Sequence, residues 1–156
     1  MNSSANASKE YLKSVVMTAS PEQLQLMLLD GAIRFTLRGK EALEKNDIEG
    51  AFKGFERAQR IVLELNNGLR RDVNPRLVDQ MAALYDFIFR RLIDANVHRE
   101  TQAADDALRI LRHQRETWGL LIEKLAQEAS NQTDPQPPVD PGASSDGEDS
   151  SFSIEG

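Results

Sequence analysis

Proline occurs at only two positions before residue 131, and each follows a residue suited to cap a helix. Proline has a fixed φ and no N–H, so a helix accepts it in its first turn and breaks around it elsewhere. Ser20-Pro21-Glu22-Gln23 sets Ser at the N-cap, Pro at the first helical position and Gln three residues after the cap. That is the pattern of a capping box. Asn74-Pro75 repeats the cap and the proline. Asn46-Asp47-Ile48-Glu49 offers another start, and Glu100-Thr101 a fourth, after Asn96-Val97-His98-Arg99 interrupts the apolar rhythm. These signals predict four helices, over about 21–45, 47–71, 75–97 and 101–129.

The apolar spacing agrees with this division. The second helix carries Ala51, Phe52, Phe55, Ala58, Val62, Leu65 and Leu69 on one face. The third carries Leu77, Met81, Leu84, Tyr85, Ile88, Leu92 and Ala95, and the fourth Ala104, Leu108, Leu111, Trp118, Ile122 and Leu125. Steps of three and four residues put each set on a single stripe to be buried. The first helix has two stripes, one of Leu24, Met27, Leu28 and Phe35 and another of Leu26, Leu29, Ile33 and Leu37. It therefore has more apolar surface than one core contact needs. Helices of this length are roughly 37 Å long. Short connections make successive helices antiparallel, so the expected fold is all-α, an up-down four-helix bundle over residues 20–130.

Residues 1–19 form an arm ahead of the bundle. Tyr11, Leu12, Val15 and Val16 in it are apolar and spaced to share one face of a short helical turn. Something must cover that face, and the extra stripe of the first helix is available. The arm is thus expected to fold back on the bundle as a lid.

The net charge of −6 does not describe the whole surface. Residues 131–156 hold Asp134, Asp140, Asp146, Glu148, Asp149 and Glu155 and no Lys or Arg. The remaining 19 acids balance the 19 Lys and Arg, so the bundle is neutral and the acidity belongs to the tail. That tail is dominated by Pro, Gly, Ser and acids, with Phe152 and Ile154 its last large apolar residues. Such a composition buries too little to offset ordering, so a disordered acidic tail is expected. A neutral bundle gives no footprint for nucleic acid. The N-terminus lacks the basic and apolar regions of a signal peptide, and no apolar run is long enough for membrane insertion. A cytoplasmic location is expected. With no cysteine, disulfides, thiolate metal sites and thiol nucleophiles are excluded.

Bundle cores can house chemistry. A di-iron site needs Glu-x-x-His pairs, but Ala95 and Ile110 stand three residues before His98 and His113. A phosphotransfer histidine would need small neighbours, whereas His113 lies in Arg112-His113-Gln114-Arg115. Both histidines read as surface residues. Arg109, Arg112, Arg115 and Arg90-Arg91 read as a solvated face bridged to Asp105, Asp106 and Glu116. No phosphate loop, nucleophile–base set or paired catalytic carboxylates are present, so neither enzyme activity nor a cofactor is expected.

Several strings carry a family resemblance. They are Thr18-Ala19-Ser20-Pro21-Glu22-Gln23-Leu24, Met27-Leu28-Leu29-Asp30-Gly31, and Arg57-Ala58-Gln59-Arg60-Ile61-Val62-Leu63-Glu64-Leu65. The most specific is Leu84-Tyr85-Asp86-Phe87-Ile88-Phe89-Arg90-Arg91-Leu92-Ile93-Asp94-Ala95-Asn96, followed by Trp118. With Tyr11 ahead of them, their order and spacing resemble the flagellin export chaperone family over residues 11 to about 125. The resemblance implies a helical bundle that holds the disordered C-terminal segment of flagellin, keeps it from polymerising and hands it to the flagellar export gate. Its partners would be that segment and a component of the gate. A client that forms helices in a filament has apolar stripes, which a bundle with surplus apolar surface can cover by helix-in-groove binding. The residues expected to touch the client are Tyr11, Val16, Leu26, Leu29, Ile33, Ile61, Phe87 and Phe89. The other reading is a bundle adaptor for a signalling or regulatory protein.

If the histidines are surface residues, the double substitution His98→Gln and His113→Gln should leave client binding within about twofold of the unchanged chain, measured by calorimetry. Loss of binding or activity in that variant would revive a phosphotransfer role.

Overall fold

The computed structural model describes residues 3–72 and 74–132. Five helices follow one another: α1 (Ser3–Thr18), α2 (Pro21–Glu44), α3 (Ile48–Asn67), α4 (Pro75–Val97) and α5 (Thr101–Gln132). Among the described residues there is no strand. The tail expected to be disordered lies outside the described residues from 133 onward, and residues 131–132 end α5.

The helix starts follow their caps. Gln23 N–H donates to Ser20 Oγ at 3.2 Å, and Ser20 N–H donates to Gln23 Oε1 at 3.1 Å, completing the capping box. Leu77 N–H donates to Asn74 Oδ1 at 3.2 Å. At α3 the cap is Asp47, whose Oδ1 accepts from Gly50 N–H at 3.0 Å. Its neighbour Asn46 adopts φ 57°, a left-handed conformation that asparagine tolerates, and this makes the α2–α3 turn tight. Two boundaries differ from expectation. α3 stops at Asn67 with Gly68 as its C-cap, and α5 runs on to Gln132. The N-terminal arm is a helix of 16 residues rather than a single turn, and none of its residues is buried.

Helices α2–α5 form a ring in which α2 packs on α3 and α5, and α4 packs on α3 and α5. Cross-helix contacts give their directions. Gly31 lies against Ile61 and Gly39 against Phe55, so α3 descends as α2 rises. Arg115 Nε donates to Asp30 Oδ1 at 2.8 Å, and Lys40 Nζ lies 2.6 Å from Asp105 Oδ1, so α5 is antiparallel to α2. Arg91 donates to Asp106 at 2.9 Å and to Asp94 at 3.0 Å, which ties α4 to α5. The basic residues of α4 and α5 are thus partly an ion-paired face, as their spacing implied.

The core is built on Leu29, Phe55, Val62, Leu65, Tyr85, Ile88, Leu92 and Leu111. Ala103, Ala104 and Ala107 let α5 approach closely at its N-terminal half. Fully burying one large aliphatic or aromatic side chain contributes about 1.5–3 kcal/mol, so this set dominates the favourable side of folding. The stripes read from spacing are correct in their middles and spill over at the ends. Phe52 and Leu77 are exposed, because each lies near a helix end where the ring of neighbours stops. Leu125 is exposed because α5 outruns the bundle.

The closest approach is between α2 and α3. A Cβ added at Gly54 would stand 2.6 Å from Gly39 N and 2.9 Å from the Phe35 carbonyl oxygen. One at Gly39 would stand 2.8 Å from the Phe55 ring. Glycine at both positions brings the two backbones together. Near the other end of the bundle, Tyr85 is buried and its hydroxyl accepts from Gln25 Nε2 at 3.3 Å. Its neighbour Asp86 is exposed and is not its partner.

Two predictions follow from this packing. Gly54→Ala should destabilise the fold by about 1–2 kcal/mol, because overpacking costs about 1–3 kcal/mol and exceeds the helix-propensity gain of about 1 kcal/mol. Gly119→Ala, where the nearest atom is Arg115 Nη1 at 3.9 Å, should stabilise by about 0.5–1 kcal/mol. Urea denaturation of the two variants should give midpoint shifts of opposite sign.

The second concerns Tyr85, whose phenol is pushed above its ordinary value by burial, with the Gln25 hydrogen bond acting the other way. Above about pH 10 the unfolded chain loses this proton while the folded chain keeps it, so stability falls as pH rises through that window. Tyr85→Phe should cost about 1 kcal/mol at pH 7 and should lose less stability than the unchanged chain between pH 10 and 11.5 in parallel urea titrations.

Candidate functional site

Helix α2 shows two faces. Leu29, Ala32, Thr36 and Gly39 point into the bundle and are buried. Leu24, Met27, Leu28, Gly31 and Phe35 lie around the helix on a second line, which the four-helix ring leaves partly uncovered. With Ile61 of α3 they line a cleft of about 510 Å³ that Leu12 and Val16 of α1 also reach. Gly31 deepens its floor: a Cβ there would sit 3.2 Å from Ile61 Cδ1. Asp30, engaged by Arg115, and Arg34 one turn further along α2 stand at the rim.

The position of α1 follows from the chain path. Only Ala19 and Ser20 separate it from α2, so it must start from the lower end of the bundle. Leu12 and Val16 are four residues apart and share one face. They line the cleft but stay exposed, as does Met17. Helix α1 thus lies over the cleft without sealing it. Leu12 and Val16 are the residues of α1 that reach the cleft.

At the upper end of the cleft sits the ring of Phe35. Three guanidiniums surround it, Arg34 at 5.2 Å, Arg57 at 5.3 Å and Arg38 at 5.5 Å from its centroid. Each is within cation–π range. Arg34 and Arg38 come from one turn of α2, and Arg57 comes from the facing turn of α3.

The residues expected to touch a client scatter more widely than that expectation held. Val16 and Ile61 line the cleft together. Tyr11 is on the same helix but 74% exposed, and it is not among the lining residues. Leu29 is 0% exposed; it belongs to the core and has no surface to offer. Leu26 and Ile33 are half-buried on the other side of α2 from the cleft, and Ile33 packs on the core. Phe87 and Phe89 are on α4, across the ring; Phe87 is exposed and Phe89 packs on the core. Of the two stripes of α2, the one with Leu24, Met27, Leu28 and Phe35 forms the cleft, and the one holding Leu29 serves the core and the α5 side. Spacing alone marked both stripes but could not say which would meet α5. The arginine cluster around Phe35 was missed, since its third member is 19 residues from its second in the chain.

The cleft is an apolar trough with charged rims. Its lining contains no nucleophile with an adjacent base, and its one carboxylate, Asp30, is held by Arg115. Such a surface suits an amphipathic helix laid along it. His98 caps the C-terminus of α4 and His113 lies on the outer face of α5, both away from the cleft. Among the described residues no helix is long and apolar enough to cross a membrane.

The model of the family described as Flagellar protein FliS matches residues 4–125. Flagellar secretion chaperone FliS of Bacillus subtilis is 33% identical over 113 residues, 72% of this chain and 84% of that protein. Its counterpart in Salmonella typhimurium is 31% identical over 120 residues, 76% of this chain and 89% of that protein. A crystal structure of a flagellar chaperone from bacteria has the same fold, with a TM-score of 0.63 at 22% identity over 78% of this chain and 98% of that one. The matched span begins in α1, includes the whole cleft and continues into α5, and on that evidence the chain belongs to the FliS family of flagellar proteins.

Proposed function

We propose that this chain is a cytoplasmic flagellar export chaperone that binds the disordered C-terminal segment of flagellin, prevents its premature polymerisation and supports its delivery to the export gate. The observation that carries this reading is the cleft between α2 and α3. A compact bundle has no structural need for the line of Leu24, Met27, Leu28 and Phe35 beside Ile61, and leaving it half-covered is unfavourable unless a partner uses it. Membership of a family of flagellar secretion chaperones supports a flagellar protein as that partner and a binding role rather than an enzymatic one.

Helix α1 acts as the lid in this reading. It shields the cleft through Leu12 and Val16 while burying none of its own residues. A weakly held cover can leave when a client helix arrives. The client's apparent affinity is then reduced by the fraction of molecules in which the cleft is open. The client orders as it binds, at a cost of about 2–5 kcal/mol, so the interface must extend beyond this one cleft. Val16 and Ile61 are the assigned contacts among the residues singled out from the sequence, joined by Leu12, Met27, Leu28 and Phe35.

The deciding experiment is titration with a peptide of the C-terminal forty or so residues of flagellin, a length suited to coupled folding and binding. Saturable binding with induced helicity is expected. An adaptor for another protein would not bind it. Ile61→Asp should weaken binding by about ten- to a hundredfold, the loss of one buried aliphatic side chain, while Phe87→Asp on α4 should change it by less than about threefold. Circular dichroism checks that both variants fold. Deleting residues 1–17 should tighten binding and increase light scattering by the free protein. Weaker binding would mean that α1 itself touches the client, and no change in either would end the lid reading.

A further inference from the structure

Three guanidiniums at the head of the cleft neutralise nothing in the bundle. Among the described residues, no carboxylate pairs with Arg34, Arg38 or Arg57. The carboxylates of Asp30 and Glu56 on the same two helices are engaged by Arg115 and Arg60. Arg109 and Arg112 on α5 differ, because they share their pocket with Asp105 and Glu116. Arg34, Arg38 and Arg57 instead converge on the Phe35 ring, at 5.2–5.5 Å from its centroid. Like charges gathered this way repel one another, and the ring quadrupole offsets that only in part.

The cluster and the apolar trough are continuous, since Arg34 and Phe35 belong to both. From Leu24 to Phe35 the trough follows α2 for roughly 16 Å, room for about three turns of a docked helix. Apolar packing alone would accept that helix in either direction, but charge separates the two. The last turn of a helix exposes carbonyl groups and partial negative charge, and its first turn exposes N–H groups and partial positive charge. The N-terminus of α2 does put positive charge at the lower end of the trough. It amounts to about half an elementary charge, and it is capped by Ser20 and followed by Glu22. Three full charges at the head outweigh it.

We propose that the cleft binds an amphipathic helix in one direction only, with an acidic C-terminal turn seated among Arg34, Arg38 and Arg57. The apolar residues of its preceding turns then lie against Phe35, Leu28 and Ile61. This rests on the reading of the cleft as the client site and adds which end of the client goes where. The acidic side chains accept charge-assisted hydrogen bonds from the guanidiniums. Helix α1 cannot replace them. It leaves the lower end of the bundle with its N-terminal end outermost, and its first turn holds no acid. It meets the trough through Leu12 and Val16 and leaves the arginines unsatisfied. A client helix with an acidic last turn gains a contact that α1 lacks, and the exchange between the two shifts by that difference.

The test uses two synthetic peptides of about 18 residues, roughly 27 Å as helices. They share one composition and one apolar stripe and are blocked at both ends. One carries three Glu in its last turn, and its isomer carries them in its first. Fluorescence anisotropy with the full chain should show the first binding about tenfold more tightly than the isomer. The helix preference of the free peptides opposes this result, because acids favour a helix N-terminus. The advantage should vanish in the variant Arg34→Gln, Arg38→Gln and Arg57→Gln, whose three sites are exposed. Retained binding of the isomer there reports an intact trough. It should also vanish for the unchanged chain in 1 M salt, where the screening length is about 3 Å and no substitution is involved. The chain has no cysteine, so a nitroxide attached through Glu41→Cys is unique. It should broaden the NMR signals of the first peptide's last turn more than those of its first turn. Equal affinities, a preference for the isomer, a preference that survives the triple substitution, or binding of neither peptide would overturn the proposal. Neither peptide contains flagellin sequence. Indifference to the isomers with the flagellin segment still bound therefore rejects the polarity alone, and an isomer preference without flagellin binding rejects the client alone.

Discussion

The contact on which the structure depends is the approach of α2 to α3 at Gly39 and Gly54. No side chain intervenes there, and a methyl group at Gly54 would collide with the backbone of α2. Helices that pack so closely at one point diverge on either side of it, since helix axes cross at an angle. On the inner side, Phe55 fills the gap against Gly39. On the outer side, below the crossing, Gly31 lies against Ile61 and the cleft opens. The cleft is therefore a consequence of how the two helices meet at these glycines.

That geometry makes α2 the central element. It packs on α3 and α5, carries the core line through Leu29 and Ala32, and presents the cleft line through Leu24, Leu28 and Phe35. The extra apolar face is a liability in a free protein, because exposed apolar area drives self-association. A helix that covers it without being buried is a low-cost remedy. Leu12 and Val16 of α1 line the cleft, and no residue of α1 is buried. Stability resides in the ring of α2–α5, and the cleft lies on a face that the ring does not use.

Electrostatics divides along the same line. Pairs such as Lys40–Asp105, Arg91–Asp106 and Arg115–Asp30 join neighbouring helices and help set their register. Being partly exposed, they are screened by solvent and contribute little to stability. The arginines around Phe35 join nothing inside the bundle. They mark the head of the cleft with positive charge.

Helix starts and stripes were legible in the sequence because they depend on neighbours in the chain. Ser20 caps Gln23, Asp47 caps Gly50 and Asn74 caps Leu77, each across three residues, and local hydrogen bonds need no tertiary context. The family strings were legible for the same reason, as fixed orders of residues. What a stripe faces is a different matter. Leu28 and Leu29 are adjacent and chemically identical, yet one lines the cleft and the other is sealed in the core. Tyr85 found Gln25, 60 residues away, rather than Asp86 beside it. Arg57 joined Arg34 and Arg38 only because α3 returns along α2. The sequence by itself determined the helices, their order and the surplus of apolar surface on α2. The tertiary structure alone decided which side of α2 became core and which became cleft, because that depends on where Gly39 and Gly54 let α3 approach, a contact between residues distant in the chain.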